Sequence, residues 1–248
     1  MIALRSVTKR FGERVAIDGV SVEFRSHATH VVLGSSGSGK STILRLILGL
    51  IAPDAGEITV DGIRVEPATR ARLLQLMGYV VQEGGLYPHL TTYQNVALAA
   101  DRPRWPPDRV RARVMALAEM VGFDESTLRR HPGELSTGQR QRAGLMRALM
   151  LDPPMLLMDE PLGALDPIVR ADLQAQLGRL FQDLGKTVLF VTHDIREAML
   201  LGETVTLMTA GRVVQHGTFD DLLRHPADAF VSEFLRAQAL PAMVDGRA

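Results

Sequence analysis

The nine residues GSSGSGKST, Gly34 to Thr42, concentrate the chemistry of this chain. They fit G-x-x-x-x-G-K-[ST], with Gly34, Gly39, Lys40 and Ser41 at the defining positions. A loop of this kind lets the backbone N–H groups of residues such as Ser35, Ser36, Gly37 and Ser38 curl around phosphate oxygens. Lys40 then reaches the β- and γ-phosphates, the Ser41 hydroxyl suits Mg2+, and Thr42 follows in the same helix entry. A glycine-rich turn with a solvated lysine is the bland alternative. The strand-like HVVLG before the loop and the helical KSTILRLILGL after it favour the phosphate reading.

MLLMDE supplies a second group, a buried strand ending in Asp159 and Glu160. Strand alternation aims the two carboxylates in different directions. Asp159 suits a metal, directly or through water, and Glu160 suits an attacking water as base or orienter. Taken alone this is an ordinary polar strand end; beside a phosphate loop it gains meaning.

A third stretch, LSTGQRQRAGLMRAL from Leu135 to Leu149, places Ser136 three residues before Gln139. That is a capping-box pattern, so the segment reads first as a helix start. Leu145, Met146, Leu149 and Met150 follow at helical spacing and read as core. A capped helix with Gly138 in its first turn also offers free N–H groups to an anion. Both readings can hold, and on the second the chain carries two stretches suited to phosphate.

The elements needed to position these groups are legible in outline. IALRSV, RVAIDGVSVEF, THVVLG and GEITVDG read as short strands, with Asp61-Gly62 as a hairpin-type turn. Residues from about Thr92 to Met150 read as helical, broken by DRPRWPPDR, with Pro107 in the first turn of the following helix. PPMLLMDE and TVLFVTH read as buried parallel strands, and TVTLMTAGRVVQHG as a hairpin turning at Ala210-Gly211. The sum is an α/β core with a β-rich N-terminal lobe and a helical insertion.

Composition removes several classes. The 248 residues give ample length for a core, and 46% hydrophobic against 23% charged is globular. The 28 basic and 28 acidic residues balance, so total charge gives nucleic-acid binding no support. No cysteine is present, which excludes disulfides and thiolate metal sites and suits a reducing compartment. The N-terminus lacks a signal-peptide core, and no window approaches the roughly 20 apolar residues of a bilayer span. Any link to a membrane is expected to run through a partner.

Together these stretches resemble the ATP-binding cassette (ABC) ATPases. LSTGQ resembles their LSGGQ signature; Gln82 after GYVVQ, MDEP, GALD at Gly163 to Asp166, and His193 after LFVT follow in that family's order. The resemblance covers about residues 2 to 236. It implies a P-loop NTPase (RecA-like) α/β core with an N-terminal antiparallel β lobe and an α-helical subdomain. It also implies one domain over 1–248: lobe and core at about 1–83 and 151–236, helical subdomain at about 84–150, and a tail at 237–248. In this family two cassettes pair head to tail, each ATP lying between one subunit's phosphate loop and the other's signature. The second phosphate site would serve the neighbour's nucleotide.

Carried over by position, Phe11 would stack on adenine, Gln82 would reach metal and attacking water, and Ser136, Gly138 and Gln139 would face the partner's γ-phosphate. Asp166 would bridge the subunits, and His193 would hold the γ-phosphate and orient Glu160. His193 alone would read as structural. Thr137 replaces the first glycine of the signature pair; threonine adopts positive φ only at a cost, but Gly138 is retained and helix starts tolerate threonine, so tuned activity is expected rather than loss.

VVQEGGLYPHLTTYQNVA, MDEPLGALDPIVRADLQ and HPADAFVSEFL further resemble importer ATPases for glycine betaine, choline and related osmoprotectants. That implies ATP and Mg2+ as cofactors and a second copy of the chain as partner. It also implies permease subunits docked at Gln82–Thr91, a solute-binding protein indirectly, no nucleic acid, and a peripheral place on the cytoplasmic face of the inner membrane. Several such ATPases add a C-terminal regulatory domain, expected to be missing from a chain ending at Ala248. The alternatives are an amino-acid or other small-solute importer ATPase, and a soluble ABC ATPase, which coiled-coil insertions or basic arms would favour. A GTPase or small-molecule kinase is weakened by the missing N-K-x-D and leaves the signature unexplained.

Overall fold

In a computed structural model, residues 1–163 and 167–238 are described. Two compact units divide the chain, Met1–Leu74 with Gln176–Ala248, and Gln75–Ala175.

The first unit opens with β1 (Ile2–Phe11), β2 (Arg14–Phe24), β3 (Thr29–Gly34), α1 (Lys40–Ile47), β4 (Ala55–Val60), β5 (Ile63–Arg64) and α2 (Arg70–Leu73). β2, β1, β4 and β5 form an antiparallel sheet in that order. Asp61 and Gly62 both take positive φ, 48° and 74°, which gives the β4–β5 hairpin a turn matched to strand twist.

The second unit contains β6 (Met77–Val80), a 3-10 turn (Gln82–Gly85), α3 (Thr92–Ala97), α4 (Pro107–Met120), α5 (Glu125–Arg129), α6 (Thr137–Leu149) and β7 (Met155–Asp159). β6 and β7 pair in parallel. Pro107 occupies the first turn of α4, as its fixed φ predicts. Leu145, Met146, Leu149 and Met150 are buried, as their spacing predicts.

α7 (Pro167–Leu184) crosses the boundary between the units in sequence. The first unit resumes with β8 (Thr187–Thr192), α8 (Ile195–Leu201), β9 (Thr204–Thr209), β10 (Arg212–Gly217), α9 (Phe219–Arg224) and α10 (Ala229–Gln238). Its second sheet runs β10-β9-β3-β8, with β3 parallel to both β8 and β9. Every residue of β3 and of β8 is buried, which is why these strands read as unbroken apolar runs rather than alternating ones. Ala210 and Gly211, at φ 46° and 79°, turn the β9–β10 hairpin. No described helix is long and apolar enough to cross a membrane.

Candidate nucleotide site

In the first unit the phosphate loop follows directly from β3. Gly34 has no room for a side chain: a Cβ there would lie 2.3 Å from the Met208 carbonyl oxygen on the neighbouring β9. Gly37 and Gly39 hold φ of 80° and 106°, which L-residues avoid. Gly39 also runs so close to β2 that a Cβ would sit 2.6 Å from the Ala16 carbonyl. The loop is thereby pressed onto the sheet, with Ser35, Ser36 and Gly37 exposed at its crown.

Lys40 is only 4% exposed, and its ammonium donates to the carbonyls of Gly34 at 2.8 Å and Ser35 at 2.9 Å. It is folded back over the loop it follows. Ser38 is buried, and its hydroxyl has no hydrogen-bond partner among the described residues. Gly39 caps α1 without a side-chain hydrogen bond, so the first N–H groups of the helix keep their capacity for an anion. Ser41 and Thr42, half-buried, lie in its first turn.

Two other predicted residues reach the same region. Phe11 ends β1 at 49% exposure, with the Lys9 ammonium 5.6 Å from its ring centroid. It pairs across the hairpin with Arg14, whose guanidinium donates to the Gly37 carbonyl at 3.3 Å. The hairpin end bearing the aromatic face is thus tethered to the loop. Leu33 pairs with Thr192 in the parallel β3–β8 ladder, so Gly34 and His193 follow adjacent strands at the same carboxyl edge, where open α/β sheets bind ligands. His193 is exposed at a fixed bend. The Asp194 N–H donates to the Thr192 hydroxyl at 3.0 Å, and the Asp194 carboxylate accepts the Arg196 N–H at 2.8 Å, capping α8. Beneath it the Thr192 hydroxyl donates to the buried Glu197 carboxylate.

In the second unit Val80 pairs with Met158. Gln82 and Glu160 therefore each follow a paired residue by two positions, at the carboxyl edge of β6 and β7. Gln82 is exposed at the start of the 3-10 turn. Asp159 is buried, and the Tyr79 hydroxyl donates to it at 3.4 Å. Glu160 is half-buried and takes φ of 43°. A non-glycine residue in the left-handed region costs of order 1–3 kcal/mol and tends to mark functional sites. Within this unit the Gln82 amide oxygen and the Asp159 carboxylate are oxygen donors of the kind Mg2+ takes.

At the start of α6 both capping-box bonds are present: the Gln139 N–H donates to the Ser136 hydroxyl at 3.2 Å, and the Ser136 N–H to Gln139 Oε1 at 2.9 Å. Ser136 is exposed and Gly138 buried. Thr137 is the first helical residue and is not among the described residues with positive φ; its hydroxyl accepts from Arg140 Nη2 at 3.0 Å. The backbone penalty that threonine would suffer at positive φ therefore does not arise. Asp166 lies outside the described residues.

Arg14, Arg147 and Glu197 were not singled out by motif. Arg147 left a signal, a cation among Leu145, Met146 and Leu149 on an apolar helical stretch. Arg14 and Glu197 left none, because their contacts form only when distant strands or turns meet.

The family described as ABC transporter matches residues 17–163, more than half of the chain. The choline transport ATP-binding protein OpuBA of Bacillus subtilis is 41% identical over 241 residues, covering 97% of this chain and 63% of that protein. This chain thus spans under two thirds of that relative's length. The glycine betaine uptake system ATP-binding protein YehX of Escherichia coli is 41% identical over 234 residues, covering 94% and 76%. A sulfate/thiosulfate import ATP-binding protein of Gloeobacter violaceus is 43% identical over 238 residues, covering 94% and 67%. Among solved structures, a dimeric post-hydrolysis state of the ATP-binding cassette MJ0796, bound to ADP and Pi, superposes with a TM-score of 0.78 at 33% identity, covering 88% of this chain and 98% of that one. The fold is that of these cassettes, a P-loop NTPase α/β core with an antiparallel β lobe and a helical subdomain. This chain belongs to the ABC transporter family.

Proposed function

We propose that the chain is the ATP-hydrolysing motor subunit of an ABC importer for quaternary amines such as glycine betaine or choline. The observation that carries the ATPase reading is the phosphate loop itself. Gly34, Gly37 and Gly39 have backbone conformations or close approaches that exclude side chains, and the Lys40 ammonium is held across the loop by two of its carbonyls. Phosphate oxygens are better acceptors for that ammonium than neutral carbonyls, so a bound triphosphate competes for it.

In this reading Gly34 to Thr42 bind the triphosphate, Phe11 stacks on the adenine, and Lys40 stabilises the charge that develops on the γ-phosphate. Ser41, Gln82 and Asp159 would hold Mg2+, which would neutralise phosphate charge. Glu160 orients and deprotonates the attacking water, and His193 holds the γ-phosphate and orients Glu160. Ser136, Gly138 and Gln139 meet the nucleotide of a second copy, with Asp166 between subunits. The dimeric ADP- and Pi-bound cassette supports that arrangement.

The chain then acts as a single cassette whose helical subdomain spans about 84–150. It docks on permease subunits through Gln82–Thr91, works indirectly with a solute-binding protein, and sits on the cytoplasmic face of the membrane. The relatives named for choline and glycine betaine support the solute class; the sulfate/thiosulfate relative favours a second reading, another small-solute importer. Glu160→Gln tests the motor directly. It should bind ATP, turn over very slowly, and run as a dimer on size exclusion with MgATP; a variant hydrolysing at the parent rate would remove Glu160 from the mechanism. Uptake assays with the native membrane partner decide between betaine, choline and sulfate.

A further inference from the structure

The 3-10 turn that begins at Gln82 is fastened to the side of α6. Arg147 donates from Nη2 to the Gly84 carbonyl at 2.9 Å and from Nη1 to the Gly85 carbonyl at 2.8 Å. No carboxylate pairs with Arg147 among the described residues, so its fork is engaged by backbone. One helical turn earlier the contact is backbone on backbone. A Cβ on Gly84 would lie 2.5 Å from the Arg140 carbonyl oxygen, and a Cβ on Gly144 would lie 2.9 Å from the Gly84 Cα. Gly84 and Gly85 also need positive φ, 77° and 55°, so the turn has one narrow geometry to adopt and two independent holds that keep it there.

The same helix begins at Ser136, Thr137 and Gly138. A rigid helix clamped to the turn makes the place of Gln82 a function of the place of α6. We propose that Arg147 is a positioning residue for Gln82: its two-carbonyl fork, with the Gly84–Gly144 contact, joins the Gln82 turn and the signature helix into one moving piece. The proposal rests on the reading of Gln82 as a residue that reaches metal and attacking water. Lysine is a poor replacement here, because its single nitrogen lacks the planar guanidinium fork whose two separate N–H groups reach the Gly84 and Gly85 carbonyls.

The test is a double-mutant cycle on the purified chain, read as MgATP turnover. Arg147→Lys should lower kcat roughly tenfold to a hundredfold, the order expected for misplacing a reacting group by about an ångström. It should raise the Mg2+ concentration for half-maximal turnover and leave metal-free ATP binding unchanged. Gly144→Ala, whose Cβ would press on the Gly84 Cα and on the Gly84 carbonyl oxygen that accepts from Arg147, should give the same pattern and serves if an Arg147 variant fails to fold. In a Gln82→Ala background Arg147→Lys should have no further effect on kcat, because the group it positions is gone. An equal loss with and without Gln82 would overturn the positioning role alone. A Gln82→Ala chain with the parent kcat and Mg2+ dependence would overturn the reading of Gln82, and the proposal with it.

Discussion

The Lys40 ammonium lies 2.8 Å from the carbonyl oxygen of Gly34, six residues earlier, at the point where β3 gives way to the loop. Backbone carbonyls thus hold the cation at the loop, where phosphate oxygens, as charged acceptors, would compete for its hydrogen bonds.

Replacing Lys40 with alanine should nearly abolish ATP turnover, since the developing charge loses its main side-chain cation. The loop's glycine geometry does not depend on the ammonium, so the fold should persist. Turnover of purified protein, with circular dichroism as the folding control, checks this. A Lys40→Ala chain that hydrolyses ATP at the parent rate would remove the loop from catalysis.

Ser136→Arg tests whether the second phosphate site serves a partner. The substitution removes a capping hydroxyl, costing about 1 kcal/mol of helix stability, and puts bulk where the neighbour's phosphate is proposed to sit. ATP binding to the same chain should survive while turnover is lost. Mixed with Lys40→Ala, some activity should return, because in a mixed dimer one site carries both lesions and the other neither. Loss of ATP binding by the Ser136→Arg monomer would assign the signature to its own chain's site.

Legibility followed locality. The loop at Gly34–Lys40, the turns at Asp61-Gly62 and Ala210-Gly211, the cap at Ser136 and the proline entering α4 are all set by residues within a few positions of one another, and each was readable. The parallel strands were readable because burial on both faces leaves continuous apolar runs. What could not be read was tertiary. The Arg14 tether to Gly37 spans 23 residues and the Arg147 fork reaches Gly84 across 63. The left-handed backbone of Glu160 has no sequence signature either, since glutamate is an unfavourable choice for it.

Stability should fall in mild acid through two histidines in the first unit. His30 is 1% exposed; its Nε2–H donates to the Arg25 carbonyl at 2.9 Å, which leaves Nδ1 to accept from the Thr204 hydroxyl at 2.6 Å. The Thr206 hydroxyl lies 2.8 Å from His216 Nδ1, and Phe24 stands 5.3 Å from the His30 ring and 6.4 Å from that of His216. Burial is the main force holding both pKa values below the ordinary 6.5; on His30 the hydrogen bond to the Arg25 carbonyl opposes it in part, and on His216 the Arg25 charge adds to it. The unfolded chain then binds more protons, so stability is fully present above about 6.5 and is lost as pH falls through the folded values. Urea midpoints between pH 8 and pH 5 should decline, and less steeply in His30→Gln. A slope that His30→Gln leaves unchanged would clear His30 of the effect.

Gln141 makes the last case. It is 3% exposed within α6, and neither its amide nitrogen nor its amide oxygen has a hydrogen-bond partner among the described residues. An unsatisfied buried polar group costs about 1–3 kcal/mol, whereas an apolar group of the same shape leaves nothing to satisfy. Gln141→Met keeps the unbranched shape and should raise the melting temperature by about 2–4 °C for each ~1 kcal/mol recovered in a chain of this size. Gln141→Ala should lower it, because a cavity replaces the side chain and offsets the relief. Differential scanning calorimetry on both variants separates the two contributions. A methionine variant that melts well below the parent would mean that the amide is satisfied by an ordered water, and that this part of α6 is held by a polar bridge rather than by packing.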